Sequence, residues 1–257
     1  MEIQKAAIDM ARRAGRILKE NLGHAGRVEF KGDVNIVTEM DMRSEALIMG
    51  EIKKRFPGHG ILTEESEGLE AASGKRWIID PLDGTTNYSH GLPIFCVSIA
   101  FEDAGEVLCG VVYNPMLDEL FTAQRGKGAL LNGKRIKISK TARLDRSLIA
   151  TGFPYDLRVS KQNNFDHFKN FSLRSQAIRR AGSAALDLCY VASGRFDGFW
   201  EMKLSPWDTA AASLIVTEAG GRVTDFEGND FSNYRPECLA SNGLIHGAML
   251  DVLAGKS

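Results

Sequence analysis

Charge imbalance and long apolar runs are both missing from this chain, and each absence narrows its function. The formal net charge is −1 and the pI about 6.5. That balance leaves no basic surplus for nucleic acid and no acidic tail that would argue for disorder. No stretch approaches the ~18 apolar residues of a membrane span. Repeats and low-complexity linkers are absent too. Cysteines are few and widely spaced: Cys96, Cys109, Cys189 and Cys238. Three sit in apolar runs, so reduced buried thiols are expected rather than disulfides or a metal cage. Met1-Glu2-Ile3-Gln4-Lys5 opens a mixed-charge amphipathic stretch, without the charged-then-apolar layout of a signal peptide. The expectation is a cytoplasmic protein with no nucleic-acid or membrane partner.

What is present is an ordinary globular composition: 257 residues, 44% hydrophobic and 25% charged. This length suits one large domain or two modest ones. A modest composition shift near Lys140 favours one domain over 1–257, with subdomains at about 1–140 and 141–257.

Hydrophobic periodicity predicts a first helix through Ile3, Ala7, Met10, Ala14 and Leu18, ending near Gly23. A second starts at Thr38 and stops at Pro57-Gly58. Ile61-Leu62 reads as a short strand delivering Glu64 and Glu65. Residues 94–101 and 107–113 read as an antiparallel hairpin, with a further strand at 120–123. The second half alternates strands at 147–151, 176–179 and 196–201 with helices at 160–171, 183–192 and 205–218. A last helix covers about 244–253. Helices and hairpins in mixed order favour an α+β fold of layered sheets and helices.

The most informative segment is Asp80-Pro-Leu-Asp83-Gly84-Thr85-Thr86, which follows the apolar strand Trp77-Ile78-Ile79. Two carboxylates at a strand end are oxygen ligands for a hard cation such as Mg²⁺. Small hydroxyl residues beside free backbone N–H groups can hold an anion. Together they suggest metal-assisted phosphate chemistry. Further acids sit at other element ends, and an ordinary role accounts for each alone. Glu64 and Glu65 fit a solvated charge run. Asp208 fits the first turn of a helix capped by Ser205 with Pro206 at its first position. Asp41 fits a capping box with Thr38. Ser183 fits an N-cap, and Glu201 an ordinary surface acid.

Jointly, these segments resemble the inositol monophosphatase family of lithium-sensitive, Mg²⁺-dependent sugar phosphatases. The residues from Trp77 through Asp80-Pro-Leu-Asp83-Gly-Thr-Thr86 to Tyr88 match its first signature. Trp207-Asp208-Thr-Ala-Ala, continued by Glu218-Ala-Gly-Gly221, matches the second. Leu62-Thr63-Glu64-Glu65-Ser66 matches its first metal-ligand segment, and the likeness continues through 36–41 and 181–185.

The resemblance implies a layered αβαβα sandwich, usually dimeric, with two or three Mg²⁺ ions. Glu64, Asp80 and the Leu82 carbonyl would hold the first ion, and Asp80, Asp83 and Asp208 the second. Thr85, backed by Asp41, would orient the attacking water, making Glu64, Thr85 and Asp41 the catalytic set. Gly84, Thr85 and Thr86 would donate to phosphate oxygens. Gly182, Ser183, Ala184, Glu201 and Asp208 would contact hydroxyls of a phosphorylated polyol or sugar. The implied reaction is direct attack of metal-activated water on inositol 1-phosphate, with no covalent intermediate. No cysteine lies in these segments.

Departures from the family pattern are small. Leu82 replaces a commoner Ile, Asn35 a common Asp and Tyr88 a commoner Phe. Lys203 stands where inositol-specific relatives carry a small residue, which opens the question of substrate. Lys203, Arg179 and Arg180 would be the cations for a second phosphate in a fructose-1,6-bisphosphatase or dual-specificity sugar phosphatase. 3′-Phosphoadenosine 5′-phosphate and histidinol phosphate are the remaining substrates. A non-catalytic scaffold on this fold would have lost one or more of Glu64, Asp80, Asp83 and Asp208, and all four are here.

Overall fold

The computed structural model describes residues 2–24, 28–30, 36–70 and 74–256. Asn35 lies outside them. In the first half, α1 (Glu2–Glu20) precedes a two-stranded ribbon of β1 (Val28–Phe30) and β2 (Ile36–Thr38). Next comes α2 (Glu39–Arg55), whose capping box joins Thr38 to Asp41 as the sequence predicts. A seven-stranded sheet follows in chain order: β3 (Gly60–Thr63), β4 (Lys75–Asp83), β5 (Cys96–Asp103), β6 (Glu106–Asn114), β7 (Glu119–Gln124), β8 (Gly128–Leu131) and β9 (Lys134–Arg135). The β3–β4 pair is parallel and every other pair antiparallel, including the expected β5–β6 hairpin. A short helix, α3 (Thr85–Ser89), separates β4 from β5.

The second half contains β10 (Leu148–Thr151), α4 (Phe165–Ser172), β11 (Ala177–Arg179), α5 (Ala184–Ala192), β12 (Gly198–Met202), α6 (Pro206–Glu218), β13 (Arg222–Thr224), β14 (Glu237–Ser241) and α7 (His246–Leu253). Its five strands run in the order β11-β10-β12-β14-β13.

Two helical layers sandwich the large sheet, which explains its nearly unbroken apolar strands. Along β4 and β5, Trp77, Ile79, Val97, Ile99 and Phe101 face α1 and α2. Their alternating neighbours Ile78, Cys96 and Ala100 face α5 and α6. A strand buried on both faces loses the polar alternation of an exposed sheet. The helices α5 and α6 lie between the two sheets. The outer face of the small sheet is covered by α4 and α7 through Phe171, Trp200, Leu239 and Met249. The layers are therefore α1/α2, sheet, α5/α6, sheet, α4/α7: an αβαβα sandwich. Close approach holds the middle together. An added Cβ on Gly110 of β6 would lie 2.4 Å from the Ala211 carbonyl of α6.

Three differences from the sequence reading have identifiable causes. The fourth helix begins at Phe165, not near 160, because Asn164 takes a φ of 71°. That residue is held there by its own amide: Nδ2 donates to Thr151 Oγ1 at 2.9 Å and to the Gly152 carbonyl at 2.6 Å, while Oδ1 accepts from Trp200 Nε1 at 2.8 Å. The strands β13 and β14 gave no sequence signal. β14 is an inner strand with Cys238, Leu239 and Ala240 all buried, too short to show a period. Asp83, finally, belongs to the end of β4 rather than lying beyond it.

His246 is fully buried, with Nδ1 2.8 Å from Ser241 Oγ and Nε2 3.0 Å from Thr224 Oγ1. Burial, helped by Arg222, lowers its pKa from 6.5 to about 4. The fold favours neutral imidazole, so this contribution is complete above pH 6.5 and is lost as pH falls through about 4. Urea unfolding across that window is expected to show the parent losing up to about 3 kcal/mol more than His246→Asn. Parallel curves would remove His246 as the cause.

Candidate functional site

A strand with period-two side chains would turn residues three apart to opposite faces. Asp80 and Asp83 nevertheless line one cavity. The cause is a bulge in β4. Asp80 pairs with Ser98 and Asp83 with Cys96, so three steps on β4 match two on β5. Pro81 sits in the irregularity, where its missing N–H breaks no ladder bond. Its carbonyl accepts from Ser44 Oγ of α2 at 2.7 Å.

The cavity has two chambers. The inner one, about 230 Å³, is lined by Glu64, Asp80, Leu82, Asp83, Thr85 and Asp208 among others. The outer one, about 330 Å³, includes Thr86, Arg180, Gly182, Ser183, Ala184 and Glu201. Asp83, Gly84, Tyr155, Lys203 and Asp208 belong to both walls. Residues from β4, α3, the loop after β3, and the starts of α5 and α6 thus meet around one cavity.

Local bonds aim each acid. Asp80 Oδ1 accepts from the Leu82 N–H at 3.0 Å. Asp208 Oδ2 accepts from the Ser205 N–H at 2.7 Å, within the predicted capping box. Asp83 Oδ2 accepts from Ser183 Oγ at 2.6 Å and from the Ala185 N–H at 2.8 Å. Asp41 lies behind the chamber, fully buried, where its Oδ1 accepts from Thr85 Oγ1 at 2.9 Å. Thr85 Oγ1 is also 3.0 Å from the Leu82 carbonyl.

Electrostatics mark this ring of acids as unbalanced. Burial raises the Asp80 pKa well above the carboxylate range, and Glu64, Asp83 and Asp208 raise it further. Burial also raises Asp208 well up, with Glu64 next, against the Ser205 N–H. Asp83 rises less, because burial is opposed by Ser183 and the α5 backbone. Like charges gathered out of water are costly unless neutralised. Four hard oxygen donors fit a hard divalent cation. Among the described residues no three acidic, His or Cys side chains are already closed into a cage. Asp80, Asp83 and Asp208 each spend an oxygen on a local donor.

The turn after Asp83 requires glycine. Gly84 has a φ of 102°, and an added Cβ would lie 2.9 Å from the Ile94 carbonyl. Two residues later α3 is under way, and first-turn N–H groups have no acceptor within a helix. Asn87 binds this turn to the other half of the molecule: Nδ2 donates to the carbonyls of Ile94 and Ala181, each at 2.8 Å. Tyr88 is a packing residue, edge-on to Phe95, with its hydroxyl donating to the Leu18 carbonyl at 2.8 Å.

In the outer chamber, burial pushes the Glu201 carboxyl up to about 8, against the pull of Arg180. Gly152 makes room for it, since a Cβ there would lie 1.9 Å from Glu201 Oε1. Lys203 does not stand free: Nζ is 2.6 Å from Asp156 Oδ2 and 2.8 Å from Ser160 Oγ. Arg179 lines neither chamber and donates to the Ile178 carbonyl at 3.0 Å. Cys96 lies outside the predicted segments, as expected, and lines neither chamber, yet its Sγ is 3.7 Å from both Asp83 Oδ2 and Ser183 Oγ. No local motif announces it; only the β4–β5 pairing places it there.

A sequence model described as the inositol monophosphatase family matches residues 1–256. An inositol-1-monophosphatase from Mesorhizobium japonicum is 42% identical over 95% of this chain and 92% of its own. The protein named Nus factor SuhB from Escherichia coli K12 is 44% identical over 95% and 92%. Among solved structures, the inositol monophosphatase of Anabaena (Nostoc) sp. PCC 7120 superposes with a TM-score of 0.91. It is 41% identical and covers 100% of this chain and 96% of that one.

Gly84→Ala would place a side chain in the left-handed region against a backbone carbonyl. It is expected to cost more than about 1 kcal/mol in urea unfolding and to lower turnover by misplacing the α3 start. A variant as stable and active as the parent would contradict this account of the turn.

Proposed function

We propose that this chain, which belongs to the inositol monophosphatase family, hydrolyses polyol monophosphates, with inositol 1-phosphate as the leading substrate. It is a phosphoric monoester hydrolase of that family. The observation that carries the metal-assisted hydrolase reading is the ring formed by Glu64, Asp80, Asp83 and Asp208, in which Glu64 and Asp83 add to the cost of charging Asp80 and Asp208. A non-catalytic scaffold has no use for such a cluster.

In this reading the metals are Mg²⁺. Glu64, Asp80 and the Leu82 carbonyl would hold one ion, Asp80, Asp83 and Asp208 a second, and a third would bind more weakly. When bound, the ions lower the pKa of water and neutralise charge on the phosphoryl group and the leaving alkoxide. Thr85 donates to Asp41 Oδ1, which leaves its own oxygen to accept from, and so orient, the attacking water. Glu64 completes the catalytic set. Backbone N–H groups at Gly84, Thr85 and Thr86 receive phosphate oxygens. Gly182, Ser183, Ala184, Glu201 and Asp208 receive hydroxyls of the departing polyol.

A single phosphate suits the outer chamber better than two. Of the three candidate cations, Lys203 is already paired with Asp156 and Arg179 faces elsewhere, which leaves Arg180 alone in the chamber wall. This disfavours fructose 1,6-bisphosphate. Homodimerisation is proposed from the family likeness. Among the described residues no helix is long and apolar enough to cross a membrane. Four buried free cysteines support placement in the reducing cytoplasm.

Asp83→Asn is expected to lower kcat by at least about a hundredfold while the protein stays folded. A folded variant with near-normal turnover would sink the assignment. Chelation with EDTA should abolish hydrolysis, and added Mg²⁺ should restore it. Comparing kcat/KM on inositol 1-phosphate, fructose 1,6-bisphosphate, 3′-phosphoadenosine 5′-phosphate and histidinol phosphate tests the substrate. Inositol 1-phosphate is expected to lead, and a clear preference for any other would replace it.

A further inference from the structure

The outer chamber holds a carboxyl that the proposed reaction does not use. Asp187, the fourth residue of α5, lines that chamber but not the inner one. It is 1% exposed, and its Oδ1 has no hydrogen-bond partner among the described residues. Buried polar atoms are nearly always bonded. An exception in the wall of a cavity points to a ligand that completes it. No packing demand explains an acid here, because the surrounding α5 residues Ala185, Leu186, Leu188 and Cys189 are apolar and fully buried.

We infer that Asp187 is a specificity-determining residue: with Arg180 and Glu201 it binds hydroxyl groups on the non-phosphorylated part of a polyol monophosphate. The inference rests on the phosphatase reading above and adds to it which end of the substrate is read. Burial, with Glu201 and Asp83 adding, raises the Asp187 pKa well above the carboxylate range against the pull of Arg180. A protonated carboxyl offers one donor and one acceptor, and a hydroxyl needs that pairing. The exposed Arg180 guanidinium supplies donors at the same wall. An apolar leaving group would leave Oδ1 unpaired. A site built to bond a hydroxyl rejects analogues lacking it more strongly than an apolar pocket rejects a misfit.

The test compares parent, Asp187→Ala, Asp187→Asn and Arg180→Gln, with Mg²⁺ present. Each is assayed on inositol 1-phosphate and on phenyl phosphate, whose leaving group has no further hydroxyl. For Asp187→Ala the ratio of kcat/KM between the two esters is expected to fall about tenfold or more, chiefly through KM for inositol 1-phosphate. Asp187→Asn, which keeps a donor and an acceptor, should hold the ratio within about threefold of the parent. Arg180→Gln, at an exposed position where folding is not at stake, should lower the ratio in the same direction. The Tm of Asp187→Ala should equal or exceed the parent's, because the change removes an unpaired buried group. An unchanged ratio in Asp187→Ala and Arg180→Gln, or an equal fall on both esters, would overturn the subsite while leaving the phosphatase reading intact. A parent that hydrolyses neither ester would overturn both.

Discussion

Asp83 is the joint on which the molecule turns. It ends a strand of the large sheet, yet its Oδ2 accepts from Ser183 Oγ and the Ala185 N–H at the start of a helix in the other half. Cys96 Sγ approaches the same oxygen from the neighbouring strand. Those bonds use up one face of the carboxylate and aim the other into the acid chamber. Asn87 adds a second tie between the same segments, to the Ala181 carbonyl. The relative position of the two halves and the shape of the site are therefore set by the same few contacts. A carboxylate so held resists the desolvation that would otherwise neutralise it, which is why its pKa rises less than that of Asp80.

Helix caps place several of the residues proposed for the site. Thr38 with Asp41, Ser183, and Ser205 with Asp208 are cap residues of α2, α5 and α6. An acid in a first turn faces the positive end of the helix, which partly offsets the cost of packing it near other acids. The ordinary structural role and the functional one are the same placement. That is why neither could be separated by inspecting one motif alone.

Much of this was legible in the chain. The Asp-Pro-Leu-Asp-Gly-Thr-Thr run, both capping boxes and the Pro206 helix start depend on residues within a few positions, and local chemistry dictates them. Contacts across long separations were not legible. Nothing near Cys96 or Asp187 hints that these side chains meet the site, because sheet pairing and helix stacking bring them there. The helix expected from 160 was wrong for the same reason: Asn164 answers to Thr151, Gly152 and Trp200 rather than to its neighbours. β14 escaped notice because a strand covered on both faces carries no alternation.

The bulge at Pro81 has a combinatorial consequence. Side chains along a strand follow an odd–even rule, and the extra residue adds one to the count between Asp80 and Asp83. With it, the two acids share a parity and a cavity. Keeping the same three steps but pairing every residue regularly would give a smoother sheet while rotating the second acid toward the opposite layer. The irregular geometry is thus what makes the spacing of the two acids readable as chemistry. A tidier strand would keep the composition of the signature and lose its meaning.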